Sequence, residues 1–253
     1  MINPIQRFSN RVENYRKYRP GYPQAIIDLL TAECGLTSES IIADVGSGTG
    51  ILSELFLKNS NRVFGIEPNA AMREAGEKLL ARYRAFVSLD GSAEGTTLRD
   101  NSVDFIIAGQ AFHWFDRDRA RAEFARISKR AGWVVLIWNE RRLEATPFLR
   151  SYEELLLRYG TDYPVVRHEN IYDDIAALFA PNQYNLRVFE NYQRFDFEGV
   201  KGRMLSASYV PTPGHKNFAA MLDELHTLFD QHQEAGTITF EYDTKVYFGQ
   251  LPN

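Results

Sequence analysis

A short apolar run, Ile41-Ile42-Ala43-Asp44-Val45, breaks directly into Gly46-Ser47-Gly48-Thr49-Gly50, and Leu52, Leu55 and Phe56 follow at helical spacing. A buried strand that ends in glycines and turns at once into a helix is the opening unit of a parallel α/β sheet. It constrains everything after it, because each further parallel strand needs a crossover, usually helical, to return the chain to the same end of the sheet. Arg62 to Glu67 reads as a second strand, and Met72, Ala75, Leu79 and Tyr83 as the apolar stripe of the helix behind it. Phe86-Val87-Ser88-Leu89 and Val103 to Ala108 read as the third and fourth strands. Ala120, Phe124 and Ile127 mark one side of the next helix, and Gly132 to Trp138 is the fifth and most hydrophobic strand. Upstream, Pro23 opens a helix carrying Ile26, Ile27, Leu29 and Leu30, which Gly35 ends.

Beyond Asn139 the period changes to three helical stretches: Phe148, Tyr152, Leu155, Leu156 and Tyr159; Ile171, Ile175, Leu178 and Phe179; and Phe218, Met221, Leu222, Leu225 and Phe229. These read as an inserted cap and a closing helix. Two long β segments, Leu186 to Phe197 and Thr237 to Phe248, flank the last helix, and Ile238, Phe240, Tyr242, Val246 and Phe248 share one face at period two. The expected architecture is a Rossmann-like, doubly wound, mostly parallel seven-stranded sheet with a C-terminal antiparallel hairpin and a helical cap insertion. As a single domain over 1–253 it divides into an N-terminal lid (1–22), a ligand-binding core (23–140), cap and closing elements (141–235) and a last strand (236–253).

Composition excludes several classes of function. With 29 Lys plus Arg against 33 Asp plus Glu the net charge is −4, which argues against a broad polyanion-binding face and so against nucleic acid as partner. The single cysteine, Cys34, permits no internal disulfide, cysteine metal cluster or redox pair, and no metal site is expected. It reads as a small buried hydrophobe in the first helix. The N-terminal residues lack the apolar stretch of a secretory signal, and no segment reaches the roughly 18 apolar residues of a membrane span. A cytoplasmic, membrane-free protein is expected.

Open α/β sheets bind ligands at the carboxyl ends of their strands, where the glycine loop lies. Glu67 closes the second strand about 20 residues further on, the usual place of a carboxylate that accepts from ribose hydroxyls. Together they indicate an adenosine-type cofactor. Ile51 stands where the pyrophosphate turn GxGxxG needs its third glycine, and the loop lacks the Gly-Lys-Ser/Thr ending of a triphosphate loop.

Four motifs between Ile41 and Trp138 resemble the class I S-adenosylmethionine-dependent methyltransferases, in particular their small-molecule type 11 branch. They are the glycine loop after Asp44, Glu67 with Pro68-Asn69, Gly91-Ser92-Ala93-Glu94, and Gly109-Gln110-Ala111-Phe112-His113-Trp114-Phe115. Upstream, Asn14 to Pro23 is similar to the lid of trans-aconitate methyltransferase relatives. The resemblance covers about residues 8 to 140 and is weaker beyond. It implies S-adenosyl-L-methionine as donor, S-adenosyl-L-homocysteine as product, and a small-molecule acceptor methylated at a carboxylate.

By that resemblance the backbone of Gly46, Ser47 and Gly48, beside Asp44, meets the methionine part, Glu67 with Pro68 the ribose diol, and Ala93 with Ser92 or Glu94 the adenine. Gln110 and Ala111 lie on the ammonium side. Arg19 suits the methionine carboxylate, since a guanidinium holds a carboxylate by two charge-assisted hydrogen bonds; an acidic neighbour or a phosphate is its alternative partner. Tyr15, Trp114 and Phe115 offer aromatic faces to the sulfonium, each worth about 0.5–2 kcal/mol. Trp114, Phe115 and Arg141 are candidate acceptor contacts, with solvated surface charge as the alternative for Arg141 and its neighbour Arg142. His113 is the candidate proton acceptor, or else a residue that only shapes the pocket, and Glu94 has the alternative of a solvated loop acid. The rival function is a non-catalytic donor-binding protein that uses lid and cap for a partner; a nicotinamide-dependent oxidoreductase rests on sheet analogy alone.

Overall fold

The computed structural model describes residues 12–163 and 171–252. Five parallel strands, β1 (Ile41–Val45), β2 (Arg62–Ile66), β3 (Phe86–Leu89), β4 (Val103–Gly109) and β5 (Ser128–Arg141), are joined by β6 (Tyr184–Phe195) and β7 (Ile238–Gly249). The seven-stranded order is β3-β2-β1-β4-β5-β7-β6, with β7 antiparallel to both β5 and β6. From β1 the chain winds outward through β2 to β3 and then returns to place β4 on the other side of β1. The order therefore reverses between β1 and β4, and a crevice opens above their carboxyl ends.

Side chains alternate across the sheet at period two, so each strand feeds two cores. Ala43, Val45, Ile106, Ala108, Val134, Leu136 and Trp138 face one side, and Ile42, Phe105, Ile107, Val135 and Ile137 the other. The second face is covered by α2 (Ala25–Cys34) and α3 (Ile51–Lys58), through Ile26, Ile27, Leu30, Leu52, Leu55 and Phe56. The first is covered by α5 (Arg117–Ile127), with Ala120, Phe124 and Ile127 buried as expected. Each large apolar side chain removed from water in this way contributes about 1.5–3 kcal/mol. In α4 (Ala70–Leu80) Met72 is buried and Leu79 packs partly buried against the core, as expected, with Tyr83 doing so from beyond the helix end; Gly76 and Leu80 are buried as well, each one position on from the expected Ala75 and Leu79.

A third core forms over the start of β7. There α6 (Pro147–Tyr159), α8 (Phe197–Leu205) and α9 (Phe218–His232) enclose Phe148, Tyr152, Val200, Met204, Met221 and Leu225 with Ile238, Phe240 and Tyr242. The expected cap differs in two respects. The helix α7 (Ile171–Phe179) packs Ile175, Leu178 and Phe179 into the sheet core beside α5 and is not part of the cap. The first of the two long β segments ends at Phe195, and α8 follows it, a helix absent from the expected elements. Of the lid, α1 (Val12–Tyr18) and the turn to Tyr22 are seen, and positions 1–11 lie outside the described residues. No described helix is long and apolar enough to cross a membrane.

Candidate functional site

The loop between β1 and α3 is built by close backbone approach. Gly46 sits at φ +70°, and a Cβ there would lie 2.6 Å from Cβ of Ala111 in the loop after β4. The Gly46 and Ser47 N–H groups donate to the Ile66 carbonyl at 2.9 and 3.1 Å. The Gly48 N–H donates to Oε2 of Glu67 at 2.9 Å and the Asn69 N–H to its Oε1 at 2.8 Å. Burial raises the Glu67 carboxyl above the usual range, and the two N–H donors oppose that shift. Arg73 donates to the Glu67 carbonyl, and Asn69 caps α4 by accepting from the Met72 N–H. Beneath the loop, Asp44 is fully buried, which pushes its carboxyl up to about 7. Ser53 donates to its Oδ2 at 2.6 Å, while Oδ1 has no hydrogen-bond partner.

Two adjoining cavities open over these groups. The outer, of about 310 Å³, is lined by Glu67, Pro68, Asn69, Met72, Ser92, Ala93, Glu94, Ala111, Trp114 and Phe115. The inner, of about 50 Å³, lies under the lid and is lined by Arg19, Tyr22, Asp44, Ser47, Asn139 and Arg203 among others. Tyr15, Gly46, Gly48, Gly109 and Gln110 line both, so the two form one continuous site. Its outer part falls in the usual small-ligand range of about 300–1,000 Å³. Every residue expected to hold the cofactor lines one of the two cavities: Tyr15, Arg19, Asp44, Gly46, Ser47, Gly48, Glu67, Pro68, Ser92, Ala93, Glu94, Gln110 and Ala111.

Gln110 has φ +57°, a costly conformation for a non-glycine residue that recurs at functional sites. Its N–H donates to the Ile137 carbonyl and its Nε2 to the Asn139 carbonyl, which fixes the loop to β5. Asn139 in turn donates to the Gly21 carbonyl of the lid at 3.1 Å and accepts at Oδ1 from Thr244 and Asn191. One buried amide thus ties the lid to β5, β6 and β7. Glu94 accepts from the Asp116 N–H at 2.8 Å, joining the turn after β3 to the cap of α5.

Two candidates stand apart. His113 lines neither cavity; its ring lies 4.7 Å from that of Trp114, which does line the outer one. Arg141 also lines neither, because it is turned into the cap core, where it pairs with Glu153, donates to the Tyr163 hydroxyl and lies over the Tyr152 ring. Arg142 joins Asp243, Glu190 and Glu241 on the rim of the sheet. Cys34 is half-buried at the end of α2, and burial, with Glu33 beside it, pushes its thiol up to about 12, which suits no nucleophilic role. Among the described residues no cluster of metal-ligating side chains occurs. The site also holds Tyr22, Asn139 and Arg203, which sequence reasoning did not single out. Tyr22 belongs to a segment that reads only as lid, Asn139 lies just past the expected fifth strand, and Arg203 rides on the unexpected helix α8.

Residues 43–136 match the methyltransferase domain family. An uncharacterised methyltransferase-like protein of Schizosaccharomyces pombe is 33% identical over 165 residues, 63% of this chain and 61% of that one. A second uncharacterised methyltransferase of the same yeast is 26% identical over 247 residues and 95% of both chains. An uncharacterised methyltransferase of Mycobacterium tuberculosis is 34% identical over 153 residues, 60% of both chains. The matched region therefore spans about three fifths of the first and third relatives. Among solved structures, one classed as a type II methyltransferase from Anaeromyxobacter dehalogenans has a TM-score of 0.71 at 22% identity, covering 93% of this chain and all of that one. Haemonchus contortus phosphoethanolamine N-methyltransferase 2, in complex with phosphomonomethylethanolamine and S-adenosylhomocysteine, has a TM-score of 0.55 at 12% identity, covering 98% of this chain and 58% of that one. At those identities the two structures speak to the fold.

Proposed function

The chain carries a class I S-adenosylmethionine-dependent methyltransferase domain of type 11, and on that premise we propose that it transfers a methyl group to a small organic acceptor, at a carboxylate oxygen. One observation carries the donor reading. The glycine loop, Glu67 and the turns after β3 and β4 converge on two adjoining cavities with shared walls at the point where the strand order reverses.

The residues present fit the donor. Glu67, beside the Gly48 N–H, suits the ribose diol. Ala93 with Ser92 and Glu94 borders the adenine end, and Trp114 and Phe115 wall the same cavity. The unpartnered Oδ1 of buried Asp44 supports a role toward the ammonium group, and Arg19 in the inner cavity suits the methionine carboxylate. When bound, S-adenosylmethionine supplies an electrophilic methyl carbon whose bond to sulfur breaks as the acceptor oxygen bonds to it, the electron pair remaining on sulfur. The chain aligns the two reactants and excludes water through the lid, contributions that together remove several kcal/mol from such a displacement.

The acceptor reading rests on what lines the inner cavity. No histidine does so among the described residues, and burial raises the Tyr22 phenol well above its ordinary value, so it is a poor base near neutrality. An already ionised oxygen needs no base. Tyr15, Arg19 and Tyr22 of the lid line this end of the site, which favours a small acceptor over a macromolecule.

The test is calorimetry followed by turnover. S-adenosylmethionine and S-adenosylhomocysteine are expected to bind at micromolar concentration while NAD and ATP give no heat. Small carboxylic acids are expected to yield methyl esters and S-adenosylhomocysteine in equal amounts. Binding of NAD in place of the donor pair overturns the methyltransferase reading. Donor binding with no ester from any acid, but methylation of an amine or alcohol, overturns the carboxylate assignment.

A further inference from the structure

Two of the deeply placed guanidinium groups, those of Arg141 and Arg203, have opposite fates. Arg141 is compensated by Glu153 within the cap core. Arg203, 8% exposed on α8, has no carboxylate partner among the described residues; it donates from Nε to the Tyr242 hydroxyl at 3.1 Å. Tyr242 donates onward to Oε1 of Gln193, whose Nε2 donates to the Tyr18 carbonyl, so the side chain is held from behind by a fixed relay. Arg203 lines the inner cavity.

Arg19 lines the same cavity and likewise has no ion-pair partner among the described residues. Its Nη2 donates to the Ser206 carbonyl at 3.2 Å, its guanidinium lies over the Tyr15 ring, and its Nε is buried without a partner. Burial lowers its pKa, and the charge of Arg203 lowers it further. The two cations are brought together by the docking of α1 on α8, where Tyr18 lies so close over Gly202 that a Cβ there would sit 2.0 Å from the ring. Burying a charge without an ion-pair partner is costly, and burying two like charges side by side more so. At Arg203 burial lowers the pKa, but Tyr242, Tyr152 and Tyr209 around it outweigh that and raise it, so the guanidinium stays charged. A fold keeps such an arrangement where an anion completes it.

We propose that Arg203 is a specificity-determining residue of the acceptor site, binding a carboxylate of the acceptor in the inner cavity, while Arg19 serves the donor. The proposal rests on the methyltransferase reading and deepens it. The acceptor is accordingly a small organic acid, and its neutral amides and esters are excluded because they leave the cation uncompensated. Arg203 also makes anion binding favour the docked lid, since the anion neutralises the repulsion between Arg203 on the cap and Arg19 on the lid.

The experiment uses the full chain saturated with S-adenosylhomocysteine, with phenylacetate and succinate as probes and phenylacetamide as the neutral control, read by calorimetry and by thermal unfolding. At least one acid is expected to bind the wild type and the amide not to. Arg203→Met is expected to weaken the acid at least tenfold, to leave S-adenosylhomocysteine affinity within threefold, and to leave the melting temperature of the free protein close to that of the wild type. Arg203→Lys is expected to restore part of the acid binding. Arg19→Met is expected to weaken S-adenosylhomocysteine instead. The proposal is overturned if no acid outbinds the amide, or if Arg203→Met weakens S-adenosylhomocysteine as much as Arg19→Met does, which would make both arginines donor ligands. It is equally overturned if Arg203→Met lowers the melting temperature and Arg203→Lys rescues that without rescuing acid binding, the mark of a purely structural residue. Absence of S-adenosylhomocysteine binding in the wild type would instead be a failure of the methyltransferase reading.

Discussion

The Gly48 N–H and Oε2 of Glu67 are joined at 2.9 Å, so the acid at the end of β2 holds the tip of the glycine loop after β1. With the Asn69 N–H on its other oxygen, Glu67 is oriented before any ligand arrives. Preorganisation of this kind makes its removal costly. Glu67→Ala is expected to weaken S-adenosylhomocysteine binding by about 1.5–3 kcal/mol, the range for hydrogen bonds to a charged group. Isothermal titration decides it, and unchanged affinity in that variant refutes the ribose role.

Gly46→Ala should both destabilise the protein and block the donor. The new Cβ would meet Ala111 at 2.6 Å and the residue would hold φ +70°, a left-handed conformation that costs an L-residue about 1–2 kcal/mol. Gly95→Ala is the control, since nothing lies within 4 Å of its Cβ position. Thermal unfolding is expected to show Gly46→Ala several degrees below the wild type and Gly95→Ala within about a degree. Equal melting temperatures for the two variants would contradict this packing of the loop.

The donor side of the site was legible because two local signals coincide there, an apolar strand and a glycine break, and each loop that completes the cavity also follows a strand. Where the sequence misled, the determinant was a close approach that apolar periodicity does not register. The buried line of α4 runs through Gly76 because its Cα side lies under the glycine loop, where a Cβ would come within 3.3 Å of the Gly48 carbonyl. Likewise Gly199 and Gly202 look like helix breakers, yet in α8 they admit the rings of Phe195 and Tyr18. The helix α7 carries the same kind of apolar stripe as the cap helices, and amphipathicity alone does not state which surface it will cover. Arg141 follows the fifth strand where a rim residue belongs, but Glu153, twelve residues on, draws it into the cap.

Arg141 is therefore expected to matter for stability and not for ligand binding. Its partner Glu153 is 8% exposed, and breaking a buried pair from one side strands the other charge, a loss of about 3–5 kcal/mol. Urea unfolding of Arg141→Ala should show that loss, while affinity for S-adenosylhomocysteine in the folded variant stays within about twofold. A variant of wild-type stability with impaired ligand binding would return Arg141 to the active site.

Asp44 gives the chain a pH signature near neutrality. Buried at 0% exposure, its carboxyl is pushed up to about 7, whereas in the unfolded chain it titrates near its ordinary value of about 3.9. Between those values the folded state holds a proton that the unfolded state has released. The contribution of Asp44 to stability is therefore fully present below about pH 4 and declines as pH rises, by up to about 1.4 kcal/mol per unit, until it levels off above about pH 7. Asp44→Asn lacks this titration. Urea unfolding of both proteins at pH 5, 6, 7 and 8 should show the variant gaining on the wild type with each step up to pH 7 and holding its margin beyond. Parallel stability curves would mean that Asp44 is already ionised at pH 5, satisfied by more than the Ser53 hydroxyl, and that its free oxygen is not held in reserve for a cationic ligand.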